Sequence, residues 1–211
     1  TVVRPENKAA CKADMQARLG LSVSQDTPLV TMISRLVDQK GLDLVADCVD
    51  ELMRETNMQL AVLGTGDPRY EEMFRQLAMV YSGRISATIA YDNELAHRLY
   101  AGADLFLMPS LFEPCGLSQM IAMRYGTVPI VRETGGLADT VEAYNEYTGK
   151  GYGFTFAPYA AHDLAYTVRR ALAIYENREV WGKLMRRCMR KDFSWNQSAG
   201  KYLELYRQML A

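Results

Sequence analysis

Two short segments of the sequence carry side chains suited to holding a phosphorylated ligand. The first reads Ser34-Arg-Leu-Val-Asp-Gln-Lys-Gly41 and contains Arg35 and Lys40. Arginine offers two parallel N–H donors and lysine a compact positive charge, so the pair suits a diphosphate. The alternative is that both are ordinary surface cations, as most arginine and lysine side chains are. The segment alone leaves both interpretations open.

The second segment, PSLFEPCGLSQ, runs from Pro109 to Gln119 and joins an apolar stretch to an amphipathic one. Gly116 allows the backbone to approach a ligand closely. The N–H groups of Gly116, Leu117 and Ser118 are predicted to open a helix, where backbone donors bind anions, and the Ser118 hydroxyl can add a hydrogen bond. The two segments would therefore hold a phosphate from both sides.

Two further side chains are candidates for ligand contacts. We expect Pro114 to keep Glu113 outside the helix and facing the ligand; the alternative is an acid that complements the helix dipole. Tyr91 lies in a predicted loop, where it could stack on a base or pack as an ordinary tyrosine. Cys115 has no base nearby in the sequence, so it is not proposed as a nucleophile.

The composition is that of a globular protein without an electrostatic preference for polyanions. The 211 residues are 49% hydrophobic and 23% charged, with a net charge of -1. We therefore expect no nucleic-acid partner and no membrane partner. The four cysteines form no C-x-x-C pair, which disfavours a zinc site and indicates free thiols in the cytoplasm. No D-x-D pair is present, so we predict neither a bound metal nor a cofactor.

Short apolar segments alternate with longer amphipathic ones, which predicts an α/β fold. The apolar segments are hydrophobic on both faces, as in a parallel sheet that lies between helices. Pro68 is predicted to lie in the first turn of one helix, and Asn93 is predicted to cap the next one. The predicted strands are Leu29–Ser34, Gln59–Leu63, Ile85–Ala90, Asp104–Met108, Thr127–Val131 and Tyr152–Phe156. The predicted helices are Glu6–Leu19, Leu42–Glu55, Arg69–Tyr81, Asn93–Ala101, Leu117–Tyr125, Leu137–Tyr144 and a helical region from Ala160 to the end.

The expected architecture is one doubly wound domain over residues 1–211, with six parallel strands and helices on both faces. The predicted strand order is 3-2-1-4-5-6, which places a crevice between the carboxyl ends of strands 1 and 4. The segments 34–41 and 109–116 follow those two strands. Both candidate phosphate-binding segments are thus predicted to meet where such folds bind ligands.

Six motifs, in their order along the chain, resemble those of bacterial glycogen synthases, the relatives of plant starch synthases. The motifs are SRLVDQKGLDLV, LGTGDP, AHRLYAGAD, PSLFEPCGLSQMIAMRYGTVPIV, TGGLADTV and DFSW, and the resemblance extends from about Glu6 onward. It implies a GT-B glycosyltransferase, in which two Rossmann-like domains face each other, and it makes this chain the C-terminal, donor-binding domain. The implied reaction transfers glucose from ADP-glucose to the non-reducing end of an α-1,4-glucan, with retention of configuration and release of ADP.

The resemblance also implies a role for each candidate residue. Arg35 and Lys40 match the pair that holds the diphosphate and stabilises charge on the leaving group. Glu113 matches an acid beside the glucosyl ring, and Tyr91 matches the position that stacks on adenine. The implied catalytic residues are Arg35, Lys40 and Glu113, and the implied substrate-binding residues are Tyr91, Cys115, Gly116, Leu117 and Ser118.

The sequence departs from the wider GT-B pattern in two ways. Many retaining members carry a second acid eight residues after the first, where this chain has Ile121. The Lys-x-Gly-Gly loop of the N-terminal domain is absent, so we expect that domain to be missing, with the final helix, about 194–211, made to pack against it. The chain alone should bind ADP weakly and elongate glucan poorly. Alternatives are a UDP-sugar-dependent transferase half and a non-catalytic nucleotide-binding module.

Overall fold

Six parallel strands form a single sheet in the order β3-β2-β1-β4-β5-β6, which confirms the predicted topology. The structure, a computed structural model, describes residues 7–210. Each strand lies within two residues of its predicted limits. The strands are β1 (Leu29–Ile33), β2 (Gln59–Gly64), β3 (Ile85–Ile89), β4 (Leu105–Met108), β5 (Val128–Arg132) and β6 (Phe154–Phe156).

Nine α-helices connect or flank these strands in the described part of the chain. A short 3₁₀ turn, Asp38–Lys40, lies between β1 and the second helix. The helices are α1 (Asn7–Arg18), α2 (Leu42–Glu55), α3 (Pro68–Val80), α4 (Asn93–Gly102), α5 (Ser118–Arg124), α6 (Gly135–Thr140), α7 (Ala161–Glu176), α8 (Arg178–Arg190) and α9 (Trp195–Leu210).

Helices cover both faces of the sheet because successive strand side chains point in opposite directions. Leu29 of β1 belongs to a buried cluster with Met15 of α1 and Leu99 of α4. Its neighbour Val30 belongs to the larger cluster on the other face, together with Val45 of α2. Both faces of the strand are therefore buried against helices, as its apolar sequence predicted.

Two predictions about helix ends differ from the structure. Pro68 does begin α3, but the cap of α4 is Asp92, whose carboxylate accepts from the N–H of Leu95, so Asn93 is the first helical residue. The helix predicted over 137–144 is α6, 135–140, because the chain is extended from Val141 and pairs with Gly153 through a β-bridge at Ala143.

The helical region predicted from Ala160 to the end is divided into α7, α8 and α9. Asn177 separates the first two and caps α8 by accepting from the N–H of Val180. The chain leaves the helical conformation again between α8 and α9, and α9 begins at Trp195, close to the predicted start of the final helix at about residue 194. No residue of α9 is buried, and the apolar side chains of Trp195, Tyr202 and Met209 are exposed.

The side chain of Lys8 ties α1 to the carboxyl ends of two other helices. Its ammonium donates to the carbonyls of Tyr100 at 3.1 Å, Ala101 at 2.9 Å and Tyr125 at 3.3 Å, and to the hydroxyl of Thr127 at 2.8 Å. The positive charge therefore meets the negative ends of the α4 and α5 dipoles. Burial lowers the pKa of Lys8 to about 8, although attraction to Asp104 opposes this effect.

We expect the Lys8→Met variant to show a weaker rise of unfolding free energy with pH between about pH 8 and 10 than the unmodified protein. In that window the unfolded chain binds a proton at Lys8 that the folded chain has lost, so Lys8 makes stability rise with pH, by about 1 kcal/mol per pH unit. Denaturant unfolding of both proteins at several pH values measures this difference. All other titrating groups are common to both proteins, and parallel profiles would contradict the prediction.

Within residues 7–210, no helix combines the length and the apolar character needed to cross a membrane.

Candidate functional site

The loop after β1 fixes the backbone on both sides of Arg35. The N–H of Ser34 donates to the carbonyl of Leu63 at 3.2 Å, and the N–H of Leu36 donates to the carbonyl of Thr65 at 3.0 Å. The loop after β1 therefore pairs with the end of β2 and the loop beyond it. This pairing holds the backbone of Arg35 at the carboxyl edge of the sheet.

Two glycines after β2 make this pairing possible. A Cβ atom at Gly64 would lie 1.9 Å from the carbonyl oxygen of Ser34, and one at Gly66 would lie 2.5 Å from that of Leu36. Any side chain there would push the arginine loop away. These two glycines therefore admit the backbone of a neighbouring loop.

Lys40 and Glu113 form a largely buried ion pair across the crevice. The ammonium of Lys40 lies 2.5 Å from Glu113 Oε2, and the Ser110 hydroxyl donates to the same oxygen at 3.5 Å. The resemblance placed Lys40 at the diphosphate and Glu113 beside the glucosyl ring. The structure brings the two side chains together, so in this state the carboxylate neutralises one of the two expected phosphate-binding cations.

Three residues outside the predicted site hold the Glu113 segment in place. The main-chain carbonyl of Gln39 accepts from the N–H of Leu111 at 3.0 Å, while its side-chain amide donates to the carbonyl of Phe112 at 3.0 Å. Arg132, at the end of β5, donates to the carbonyl of Leu111 at 2.8 Å. Gly136 donates its N–H to the carbonyl of Glu113 at 3.0 Å.

The place of Arg132 at the sheet edge follows from the predicted strands. It directly follows the predicted strand Thr127–Val131 and therefore falls on the edge of the sheet where the other loops meet. The contacts of Gln39 and Gly136 depend on how separate loops pack, which the sequence pattern does not report.

We expect Gly136→Ala to destabilise the protein by about 1–3 kcal/mol, the usual cost of forcing extra volume into a packed site. The new Cβ would lie 2.0 Å from the carbonyl oxygen of Cys115 and 2.5 Å from its Cα atom, so the backbone itself would have to move. Gly182→Ala is the matched control, because its nearest contact, with Arg186, is 3.7 Å away. Equal unfolding free energies for the two variants would contradict this assignment.

Six of the eight predicted site residues line one cavity of about 200 Å³ between the loops after β1 and β4. A second cavity of about 280 Å³ adjoins it and shares Ile33, Ser34 and Arg35 with it. Tyr91, 90% exposed, lines the second cavity. Cys115 is exposed and lines neither cavity. The six residues in the first cavity are Arg35, Lys40, Glu113, Gly116, Leu117 and Ser118.

The two cavities differ in chemical character. The first holds two cations and one carboxylate, a net positive charge that suits an anion. The second is bordered by Ala96, Tyr100 and Ile121 as well as Tyr91, so it suits a flat, largely apolar group. Arg35 stands between them. The crevice can thus hold an elongated ligand with an anionic part and a planar part.

The strand order, the helices on both faces and the crevice at the carboxyl ends of β1 and β4 define the class of the domain. It is a Rossmann-like α/β domain of the kind found in GT-B glycosyltransferases. The family model described as "Glycosyl transferases group 1" matches residues 18–187, and the chain belongs to that family.

Two groups of relatives are similar to this chain, namely bacterial glycogen synthases and a plant starch synthase. The glycogen synthases of Geobacillus thermodenitrificans and Clostridium beijerinckii are 55% and 52% identical to this chain, over 97% of its length and 42% of theirs. The catalytic domain of starch synthase IV from Arabidopsis thaliana, bound to ADP and acarbose, superposes with a TM-score of 0.88 at 36% identity. The superposition covers 99% of this chain and 44% of that one. The chain therefore spans less than half the length of these relatives.

Proposed function

We propose that the chain is the donor-binding half of an ADP-glucose-dependent glucosyltransferase that elongates an α-1,4-glucan with retention of configuration. The observation that carries the proposal is the meeting of Arg35, Lys40 and Glu113 in one cavity at the sheet's crevice. The similarity to glycogen synthases supports the reaction, and the ADP bound to the similar starch synthase domain supports the nucleotide.

In this proposal Arg35 and Lys40 bind the diphosphate and stabilise the negative charge that develops as ADP leaves. Lys40 already has a carboxylate partner in Glu113, so an arriving diphosphate adds a second anion beside the same ammonium. Within residues 7–210, the one side-chain hydrogen bond of Arg35 is weak, at 3.4 Å to Gln39 Oε1, so this side chain is freer to turn to the ligand. Glu113 then contacts a hydroxyl of the glucosyl ring.

The main chain after Cys115 supplies the remaining phosphate contacts. The N–H groups of Gly116, Leu117 and Ser118 precede or open α5, where backbone donors have no intrahelical acceptor. Gly116 has φ +74°, a conformation that favours glycine. Tyr91, almost fully exposed beside the second cavity, stacks on the adenine ring. The backbone of Cys115 helps to set the path of this segment.

The same proposal explains why the apolar face of α9 is exposed. Its apolar side chains would be covered by the other domain of the complete transferase, which also provides most of the glucan-binding surface. The chain alone then elongates glucan poorly. Four free thiols, at Cys11, Cys48, Cys115 and Cys188, agree with a cytoplasmic enzyme.

Titration calorimetry of the 211-residue chain with ADP and with UDP tests the nucleotide assignment. We expect weak binding of ADP, with and without added Mg²⁺, and weaker binding of UDP, because the smaller pyrimidine covers less of Tyr91. Tighter binding of UDP than of ADP would indicate that the donor is a UDP-sugar instead. Binding of neither would contradict the proposal that this half holds the donor by itself.

A further inference from the structure

Gln119 is a completely buried polar side chain in the first turn of α5, directly behind the cavity lining. Its amide nitrogen lies 2.8 Å from the carbonyl oxygen of Gly116, 3.3 Å from that of Cys115 and 2.9 Å from the hydroxyl oxygen of Thr140. One amide group therefore connects the loop after β4 with α6.

The neighbouring groups decide which way this amide faces. The Thr140 hydroxyl donates to the carbonyl of Gly136 at 2.5 Å, so its oxygen presents a lone pair to Gln119. All three neighbours are then acceptors, and only the N–H₂ end of the amide can face them. The other end, Oε1, is buried and has no hydrogen-bond partner in the described part of the chain, residues 7–210. It packs against Gly116, where a Cβ would lie 2.6 Å from it.

The two backbone carbonyls in this contact belong to particular peptide groups. The carbonyl of Cys115 shares its peptide plane with the N–H of Gly116, and the carbonyl of Gly116 shares its plane with the N–H of Leu117. A donor that holds a carbonyl on one side fixes the direction of the N–H on the other side. It also polarises the peptide and strengthens that N–H as a donor.

We propose that Gln119 is a positioning residue that directs the N–H groups of Gly116 and Leu117 toward the diphosphate. This inference rests on the proposed function, because it concerns the same phosphate contacts. Gln119 does not touch the ligand, since it is buried and lies outside the cavity lining. Loss of its amide should therefore weaken contacts with the phosphates and leave contacts with the base unchanged.

The test compares ADP with adenosine in the Gln119→Met variant. Methionine has a similar length but no donor, so both peptides lose their hydrogen bond while the volume is nearly kept. NMR chemical-shift titrations of the chain should show ADP binding weakened about tenfold, the scale of one lost hydrogen bond to a charged group, with adenosine binding unchanged. A purely structural role would weaken both ligands equally, and that result would overturn the proposal.

Thr140→Val is the matched control. It removes one neighbour of the Gln119 amide but leaves both backbone carbonyls, so ADP binding should stay within about twofold of the unmodified chain. Unchanged ADP binding in Gln119→Met, combined with a loss in Arg35→Ala, would refute this inference and leave the proposed function standing. Absence of ADP binding in the unmodified chain would refute both.

A second measurement does not depend on the folding of the variant. In the unmodified chain, ADP should move the amide proton resonances of Gly116 and Leu117 downfield, whereas adenosine should leave them in place. Binding of ADP without a shift at these two amides would overturn the proposal.

Discussion

Arg35→Ala is expected to weaken ADP binding by about 1.5–3 kcal/mol, or roughly 10- to 150-fold. Arg35 lies between the two cavities, and its backbone is fixed by the loop after β2. Among the described residues its side chain hydrogen-bonds to Gln39 alone, at 3.4 Å and in an exposed position, so its removal leaves no buried partner there. The loss of affinity should therefore report the ligand contact itself, with the unfolding free energy nearly unchanged.

The matched control for this variant is Arg54→Ala. Arg54 is an exposed arginine at the other end of α2, away from the crevice. It tests whether removing any positive charge weakens binding of an anionic ligand. Titration of ADP into both variants separates a local from a general effect, and equal losses would contradict the assignment of Arg35 to the diphosphate.

Glu113→Gln is expected to reduce glucosyl transfer by about a hundredfold or more in a complete enzyme containing this chain, while ADP binding becomes tighter. The loss of transfer follows from the contact proposed between the carboxylate and the sugar, at the scale seen when one charge-stabilising group is removed. The gain in ADP affinity follows from the ion pair with Lys40. Without the carboxylate, Lys40 is free to bind phosphate and one repulsive charge is gone, which is worth about 1 kcal/mol, or roughly fivefold.

The two effects are measured separately, by transfer of labelled glucose to a glucan and by ADP titration. Glu142→Gln serves as the control, since Glu142 is an exposed acid outside both cavities. An ADP affinity that falls in Glu113→Gln as far as in Arg35→Ala would show that Glu113 acts on the nucleotide, and the proposed division of roles would be wrong.

The sequence was sufficient to predict the sheet and the position of the crevice. Segments such as Gln59–Leu63 are short and apolar on both faces, which is characteristic of a strand covered by helices on two sides. Right-handed crossovers then leave few possible strand orders. Because loops that follow parallel strands emerge at one edge, Arg35 and Glu113 could be placed near each other from the order of elements alone.

The side-chain partnerships within the crevice could not be predicted in the same way. Lys40 and Glu113 are 73 residues apart in the sequence, and their contact depends on the packing of two irregular loops. Gln119 appears in the sequence only as a polar residue of a short amphipathic helix. Its burial results from α6 packing against the loop after β4, a tertiary contact with no periodic sequence pattern.

The same limit applies to the buried face of a helix whose bounds the sequence did predict. In α2, Leu44 and Cys48 are buried, whereas Ala46 between them is exposed. The buried stripe is centred on Val45, Cys48 and Leu52, and Ala46 falls just beyond its edge. Periodicity finds the helix, but the orientation of the buried stripe is decided by contacts with α7 and the sheet.

A crystal structure of this chain with ADP tests the central claim most directly. We expect the diphosphate in the crevice between the loops after β1 and β4, with Arg35 and Lys40 on one side and the N–H groups of Gly116 and Leu117 on the other. The adenine ring should stack on Tyr91. Nucleotide bound elsewhere on the chain, with Lys40 still paired only to Glu113, would contradict the account.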